Sequence, residues 1–118
     1  MILLVEDEAI TRSAFADALR REGQEVIEAT DGVQALSLLD KHHVDLVITD
    51  LVMPRLNGFL LVAQIRATRP RMPVLLISGY LSQDGGRIIS SGSAEFMHKP
   101  IDEPELIATV KRLLPNLK

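Results

Sequence analysis

The sequence predicts an α/β domain of the (βα)5 type, a doubly wound, five-stranded parallel sheet with helices on both faces. Three observations predict it. Five apolar runs of four to six residues, rich in Val, Ile and Leu, recur along the chain. Stretches with apolar residues at three- and four-residue steps separate them. Three of the five runs are almost wholly apolar, as strands covered on both faces should be. Alternation of strand and helix then implies parallel strands joined by right-handed crossovers.

Each element has its own signal. Ile2–Val5 is the first apolar run. In Glu8–Glu22, Ile10, Ala14, Phe15, Ala18 and Leu19 define the apolar face of a helix that Gly23 stops. Glu8 with Arg12, and Asp17 with Arg21, are expected i,i+4 pairs worth a few tenths of a kcal/mol each. Glu25–Ala29 carries charges and suits a strand nearer an edge. Val33–Lys41 follows Asp31, an expected cap, and buries Ala35, Leu36 and Leu39. Val44–Thr49 is the third strand. Asn57–Thr68 is a helix carrying Leu61, Ile65 and Thr68, ending before Pro70. Val74–Ser78 is the fourth strand, and Glu95–His98 a fifth, charged one. Asp102-Glu103-Pro104-Glu105 reads as a capping box, with Ile107, Val110 and Leu114 as the stripe of the helix behind it. Segment 81–93 is weak, because its glycines and serines cost a helix roughly 1 and 0.5 kcal/mol each. At most a short, mobile helix is expected there.

Composition bounds the function. The 118 residues suit one domain, 1–118. There are no cysteines, which excludes a disulfide scaffold, a thiolate metal site and cysteine catalysis. The net charge of −3 gives no general attraction to nucleic acid or anionic lipid. The apolar runs are far too short to span a bilayer, and no signal peptide is visible, so the cytoplasm is the expected compartment. The charge is uneven. Residues 1–59 hold 11 acids against 5 Lys/Arg, and residues 60–118 hold 5 against 8.

The polar residues explain that asymmetry. Four runs end in one: Glu6-Asp7 after the first, Asp50 after the third, Ser78 after the fourth, Lys99 after the fifth. In an open parallel sheet, ligands bind beyond the carboxyl ends of the strands. Three carboxylates, a hydroxyl and an ammonium are therefore expected in one crevice. Left alone, the carboxylates would raise each other's pKa. Mg²⁺, or Mn²⁺, removes the conflict and takes carboxylates, waters and phosphate oxygens together. Lys99 suits a phosphoryl oxygen, and Ser78 can donate to another. The set reads as a phosphoryl site with a carboxylate nucleophile. Singly, each residue has a plain explanation: acids at a helix start, a turn aspartate, a loop serine, a solvated lysine. Their joint placement carries the argument.

These residues resemble the receiver domain of two-component response regulators, the chemotaxis-regulator-like, flavodoxin-like fold. The resemblance rests on Ile2-Leu3-Leu4-Val5-Glu6-Asp7-Glu8, on Val47 to Pro54 with Asn57-Gly58, on Leu76-Ile77-Ser78-Gly79, and on Phe96-Met97-His98-Lys99-Pro100. It implies strand order 2-1-3-4-5. It implies that Asp50 accepts a phosphoryl group from a histidine kinase or histidine phosphotransfer protein. Asp7 is then the principal metal-binding acid, Glu6 reaches the metal through water, and the Val52 backbone carbonyl is a further ligand. Ser78 and Phe96 are the implied switch residues, Lys99 grips the phosphoryl group, and Lys99-Pro100 is expected to be cis. The implied role is a switch for a downstream protein partner rather than an enzyme, as a free-standing regulator or as part of a longer chain such as a hybrid histidine kinase.

Other classes fit less well. A haloacid-dehalogenase-type phosphatase needs a second acid two residues after its nucleophile, where Val52 stands. A nucleotide-binding protein would show a glycine-rich loop after the first strand. A degenerate receiver that only binds a partner would not need Asp7, Asp50, Ser78 and Lys99 together. Val52 and Tyr80 are expected to flank the approach of water to an aspartyl phosphate and to lengthen its life.

Overall fold

The computed structural model describes residues 1–51, 58–78 and 94–114. In chain order the elements are β1 (Ile2–Val5), α1 (Ala9–Arg21), β2 (Val26–Ala29), α2 (Gly32–Lys41), β3 (Leu46–Asp50), α3 (Gly58–Thr68), β4 (Val74–Ser78), β5 (Ala94–His98) and α4 (Glu103–Leu113). All strand pairs are parallel, and the sheet order is β2-β1-β3-β4-β5. The charged strands β2 and β5 form the two edges and the apolar strands the centre, as their compositions require. Segment 81–93, Val52 and Tyr80 lie outside the described residues.

Side-chain alternation along the strands divides the interior into two cores. Leu3, Val5, Val47, Val74 and Leu76 face α2 and α3, packing with Ala35, Leu39, Leu61 and Ile65. Ile2, Leu4, Leu46, Ile48, Leu75 and Met97 face α1 and α4, packing with Phe15, Leu19, Leu106 and Val110. β1, β3 and β4 are buried along their whole length. Their continuous apolar character follows from serving both cores at once.

The helix boundaries have local causes. Glu8 caps α1 by accepting from the Thr11 amide at 2.7 Å. Gly23 ends it at φ 84°, a left-handed conformation that a side chain would oppose. Asp31 caps α2 by accepting from the Gln34 amide at 2.8 Å. Lys99-Pro100 is cis.

Several local expectations are corrected. Ile10 and Ala14 are exposed, Ile10 by 80%, and Ala16 takes a core position instead. The expected i,i+4 pairs on α1 are replaced by longer-range ones. Glu8 is engaged with Thr11, Arg12 reaches Glu28, and Arg21 reaches Glu103 at 3.0 Å. Asp102 sits at the N-cap of α4 but makes no side-chain capping bond, so the capping box is not closed. Leu106, Thr109 and Val110 line the buried face of α4; Ile107 is only partly buried, and Thr68 on α3 is exposed.

Candidate functional site

The carboxyl ends of β1, β3 and β5 bring the acids and the lysine together. β1 runs straight into Glu6, whose amide donates to the Ala29 carbonyl at 3.0 Å and so continues the ladder past the strand. Asp50 is the last residue of β3, and its neighbour Thr49 donates its hydroxyl to the Asp50 carbonyl at 2.9 Å. Glu6, Asp7 and Asp50 each present a carboxylate oxygen within 4.8 Å of the others. Lys99 follows β5 directly. Its amide donates to the Ser78 carbonyl at 2.7 Å, which fixes the residue across the sheet edge. Its ammonium donates to Asp50 Oδ2 at 2.8 Å and to Glu6 Oε1 at 3.3 Å.

The electrostatics follow from burial. Glu6 is 3% exposed and Asp50 8% exposed, whereas Asp7 faces solvent. Burial, reinforced by the adjacent Asp50 carboxylate, pushes the Glu6 carboxyl up to about 7 against the opposing pull of Lys99. Burial alone would lower the Lys99 ammonium, but the Asp50 and Glu6 carboxylates outweigh it and hold it above its ordinary value. Lys99 bridges two of the three acids, Glu6 and Asp50, and among the described residues Glu6 Oε2 is buried without a hydrogen-bond partner. This is a donor set of hard oxygens with charge left to neutralise, and it fits a divalent cation such as Mg²⁺. Asp7, Asp50 and Glu6 are the described residues that would hold it; Val52, expected to add its carbonyl, lies outside them.

Ser78 stands at the same edge, and Phe96 two residues before the level of that edge on β5. Ser78 is buried at the end of β4. The register pairs Leu76 with Phe96 and Ser78 with His98, so Ser78 and Phe96 both lie on the α2/α3 face. Phe96 is partly buried against that core. The expected switch pair therefore shares a face, while Asp50 and Lys99 alternate onto the opposite one.

Two residues gain a role that sequence reasoning did not give them. Arg12, expected to pair with Glu8, instead donates to the Glu6 carbonyl at 2.9 Å. Gly58 lies so close to β3 that an added Cβ would fall 2.4 Å from the Asp50 carbonyl oxygen. The Asn57-Gly58 motif was the only hint of the second, and nothing in the spacing of Arg12 signalled the first.

The histidines do not form a centre. His43 is almost fully exposed beside Asp45, and His98 turns its ring to the Lys99 carbonyl. Among the described residues no helix is long and apolar enough to cross a membrane.

Comparison with known proteins agrees with this geometry. The family model described as the response regulator receiver domain matches residues 2–111. The sensor kinase CckA of Brucella abortus is 35% identical over 116 residues, which cover 96% of this chain and 12% of that protein. The polar-differentiation response regulator DivK of Brucella ovis is 28% identical over 116 residues, covering 96% of this chain and 94% of DivK. The receiver domain of NtrX from Brucella abortus superposes with a TM-score of 0.91 at 32% identity, covering 99% of this chain and all of that one. The chain thus spans about an eighth of the sensor kinase and nearly the whole of the single-domain regulator.

Proposed function

This chain belongs to the response regulator receiver domain family, and on that premise we propose that it accepts a phosphoryl group from a phosphohistidine onto Asp50 and switches its surface for a downstream protein. The observation that carries the proposal is the Lys99 ammonium, 2.8 Å from Asp50 Oδ2 and 3.3 Å from Glu6 Oε1 beside Asp7. A cation so held is already in place to meet the oxygens of an incoming phosphoryl group.

The chemistry is an in-line displacement. An Asp50 carboxylate oxygen attacks phosphorus, the P–N bond of the phosphohistidine breaks, and the imidazole leaves with the electron pair and takes up a proton. Lys99 shifts its hydrogen bond from the carboxylate to an equatorial phosphoryl oxygen, where charge develops. Ser78 offers its hydroxyl to another oxygen and moves toward it. Asp7 and Asp50, with Glu6 through water, would hold Mg²⁺, and that ion would supply electrostatic neutralisation of the phosphoryl oxygens. The inward motion of Ser78 opens space on the α2/α3 face that Phe96 fills, biasing a two-state equilibrium.

The donor is a histidine kinase or histidine phosphotransfer protein. Beside the site, Ile10, Ala14, Phe15, Pro100 and Ile101 border Lys99 in an open cleft of about 380 Å³. An exposed isoleucine there suits the apolar flank of a helix that presents a phosphohistidine to Asp50.

The test is acyl-phosphate labelling. With Mg²⁺ and acetyl phosphate the wild type should gain one phosphate, and excess EDTA should abolish the gain. Asp50→Asn should gain none. Labelling of Asp50→Asn at the wild-type rate would show that another residue is the nucleophile, and a wild type that never labels would leave a partner-binding module as the reading.

A further inference from the structure

The acidic pair at the end of β1 is held from outside the site by a chain of ion pairs on α1 and β2. The Glu6 amide is fixed to Ala29 and its carbonyl accepts from Arg12 Nη1 at 2.9 Å, so both ends of the residue that precedes Asp7 are tied. The same guanidinium turns its Nε to Glu28 Oε1 at 3.3 Å. Glu28 stands on edge strand β2 in register with Leu4, and so faces α1. Its other oxygen accepts from Arg20 Nη1 at 3.2 Å, and Arg20 also donates to the Val26 carbonyl at 2.8 Å. Arg12 itself is only 18% exposed. A guanidinium has a rigid fork, and two directions fixed at once determine its orientation.

We propose that Arg12, oriented by Glu28, is a positioning residue that sets the Glu6–Asp7 peptide and thereby the affinity of the acidic site for a divalent cation. The proposal rests on the reading of Glu6, Asp7 and Asp50 as that site. Rotation of the peptide would swing Asp7, the most exposed of the three acids, away from Asp50. Outer partners that orient ligands commonly change metal affinity by about 10- to 100-fold when removed.

The sign of the effect separates this role from simple charge. Arg12 is a cation near a cation site, so as a bare charge it repels the metal. Its removal would then tighten binding. As a brace, its removal loosens binding. A structural role alone would lower stability without moving the affinity of the folded protein.

The experiment titrates the full chain with Mn²⁺ and follows the signal of the free ion by electron paramagnetic resonance. Circular dichroism melts confirm folding. Arg12→Ala should bind Mn²⁺ about tenfold more weakly than wild type. Arg12→Lys keeps the charge but not the fork and should also weaken binding. Glu28→Gln should weaken it in the same direction, and adding it to Arg12→Ala should cause no further loss, because Glu28 acts through Arg12. Arg21→Ala, which breaks the exposed pair with Glu103 on the same helix, should bind as wild type does. Affinity unchanged or tighter in folded Arg12→Ala overturns the proposal. If that variant does not fold, Arg12→Lys and Glu28→Gln at wild-type affinity overturn it equally. A wild type that leaves Mn²⁺ free overturns the site itself and the brace with it.

Discussion

Replacing Gly58 with alanine should damage the site without removing a polar group. Gly58 opens α3, and its amide donates to the Leu51 carbonyl at 2.9 Å. That bond draws the helix start against the end of β3. A Cβ there would lie 2.4 Å from the Asp50 carbonyl oxygen and 2.7 Å from Leu51 Cα, where real Cβ contacts below 3.0 Å essentially never occur. Relief to that limit needs a displacement of about 0.6 Å, and both obstructing atoms are backbone. Forcing a methylene-sized group into a packed interior costs about 1–3 kcal/mol. Alanine's better helix propensity offsets at most about 1 kcal/mol of this. With that full offset the net loss is about 0–2 kcal/mol, centred near 1, a fall in Tm of roughly 3–5 °C at the centre. The atoms that must yield belong to the peptide of Asp50, the proposed nucleophile, so labelling of Asp50 by acetyl phosphate should slow at temperatures where both proteins are folded. Urea midpoints and labelling rates for wild type, Gly58→Ala and Gly58→Ser measure both effects. Serine carries the same Cβ and should behave alike. A Gly58→Ala protein with wild-type midpoint and wild-type labelling would refute the close-approach argument.

Three further outcomes are expected. The Glu6 carboxyl titrates near 7 in the fold against 4.5 in the open chain, so the folded state holds its proton where the unfolded state has lost it. In chelator, stability should therefore fall as pH rises from about 4.5 through 7, by an amount on the order of 3 kcal/mol. Lys99, raised above its ordinary value, contributes only to losses at far higher pH. Glu6→Gln should flatten the slope of the urea midpoint between pH 5 and 8, and an unchanged slope would assign it to other groups. Millimolar Mg²⁺ should raise the wild-type Tm by mass action, whereas Asp50→Asn should be more stable than wild type without metal and gain less from it. A melting curve indifferent to Mg²⁺ would remove the cation site. Ser78→Ala should still accept phosphate but lose the coupled change at Phe96, read as amide shifts on adding beryllofluoride; wild-type shifts in the variant would dismiss Ser78 as the trigger.

The strands were legible because each central one packs on both faces, which leaves little room for any residue but Val, Ile or Leu. The site was legible for a related reason. Charge at the end of such a run is costly, and the parallel arrangement puts every run's end on one edge. Helix faces were read less well. Periodicity finds a stripe but not which of its members are covered, so Ile10 and Ala14 share the apolar spacing of α1 yet stand exposed. Side-chain partners were the least legible. Arg12 and Arg21 each had a suitable acid four residues earlier, yet each found a carboxylate on another element. Exposed i,i+4 pairs contribute only a few tenths of a kcal/mol, so tertiary packing easily redirects them. Glu105 and Asp102 show the same limit, since the motif set the position of the cap but not its hydrogen bond.

The bond from Lys99 to Asp50 spans 49 residues, and the one to Glu6 spans 93. During synthesis, Asp50 therefore precedes its cation by roughly 2–10 s, at about 5–20 residues per second. Throughout that interval the growing chain contains all three acids and no Lys99. The edge strand β5, which delivers the lysine, also pairs, among the described residues, only with β4. A chain released early thus carries Asp50, the proposed nucleophile, without the ammonium that pairs with it. The lysine and the last strand of the sheet arrive together, so on the proposed function an unfinished chain would be silent rather than misleading.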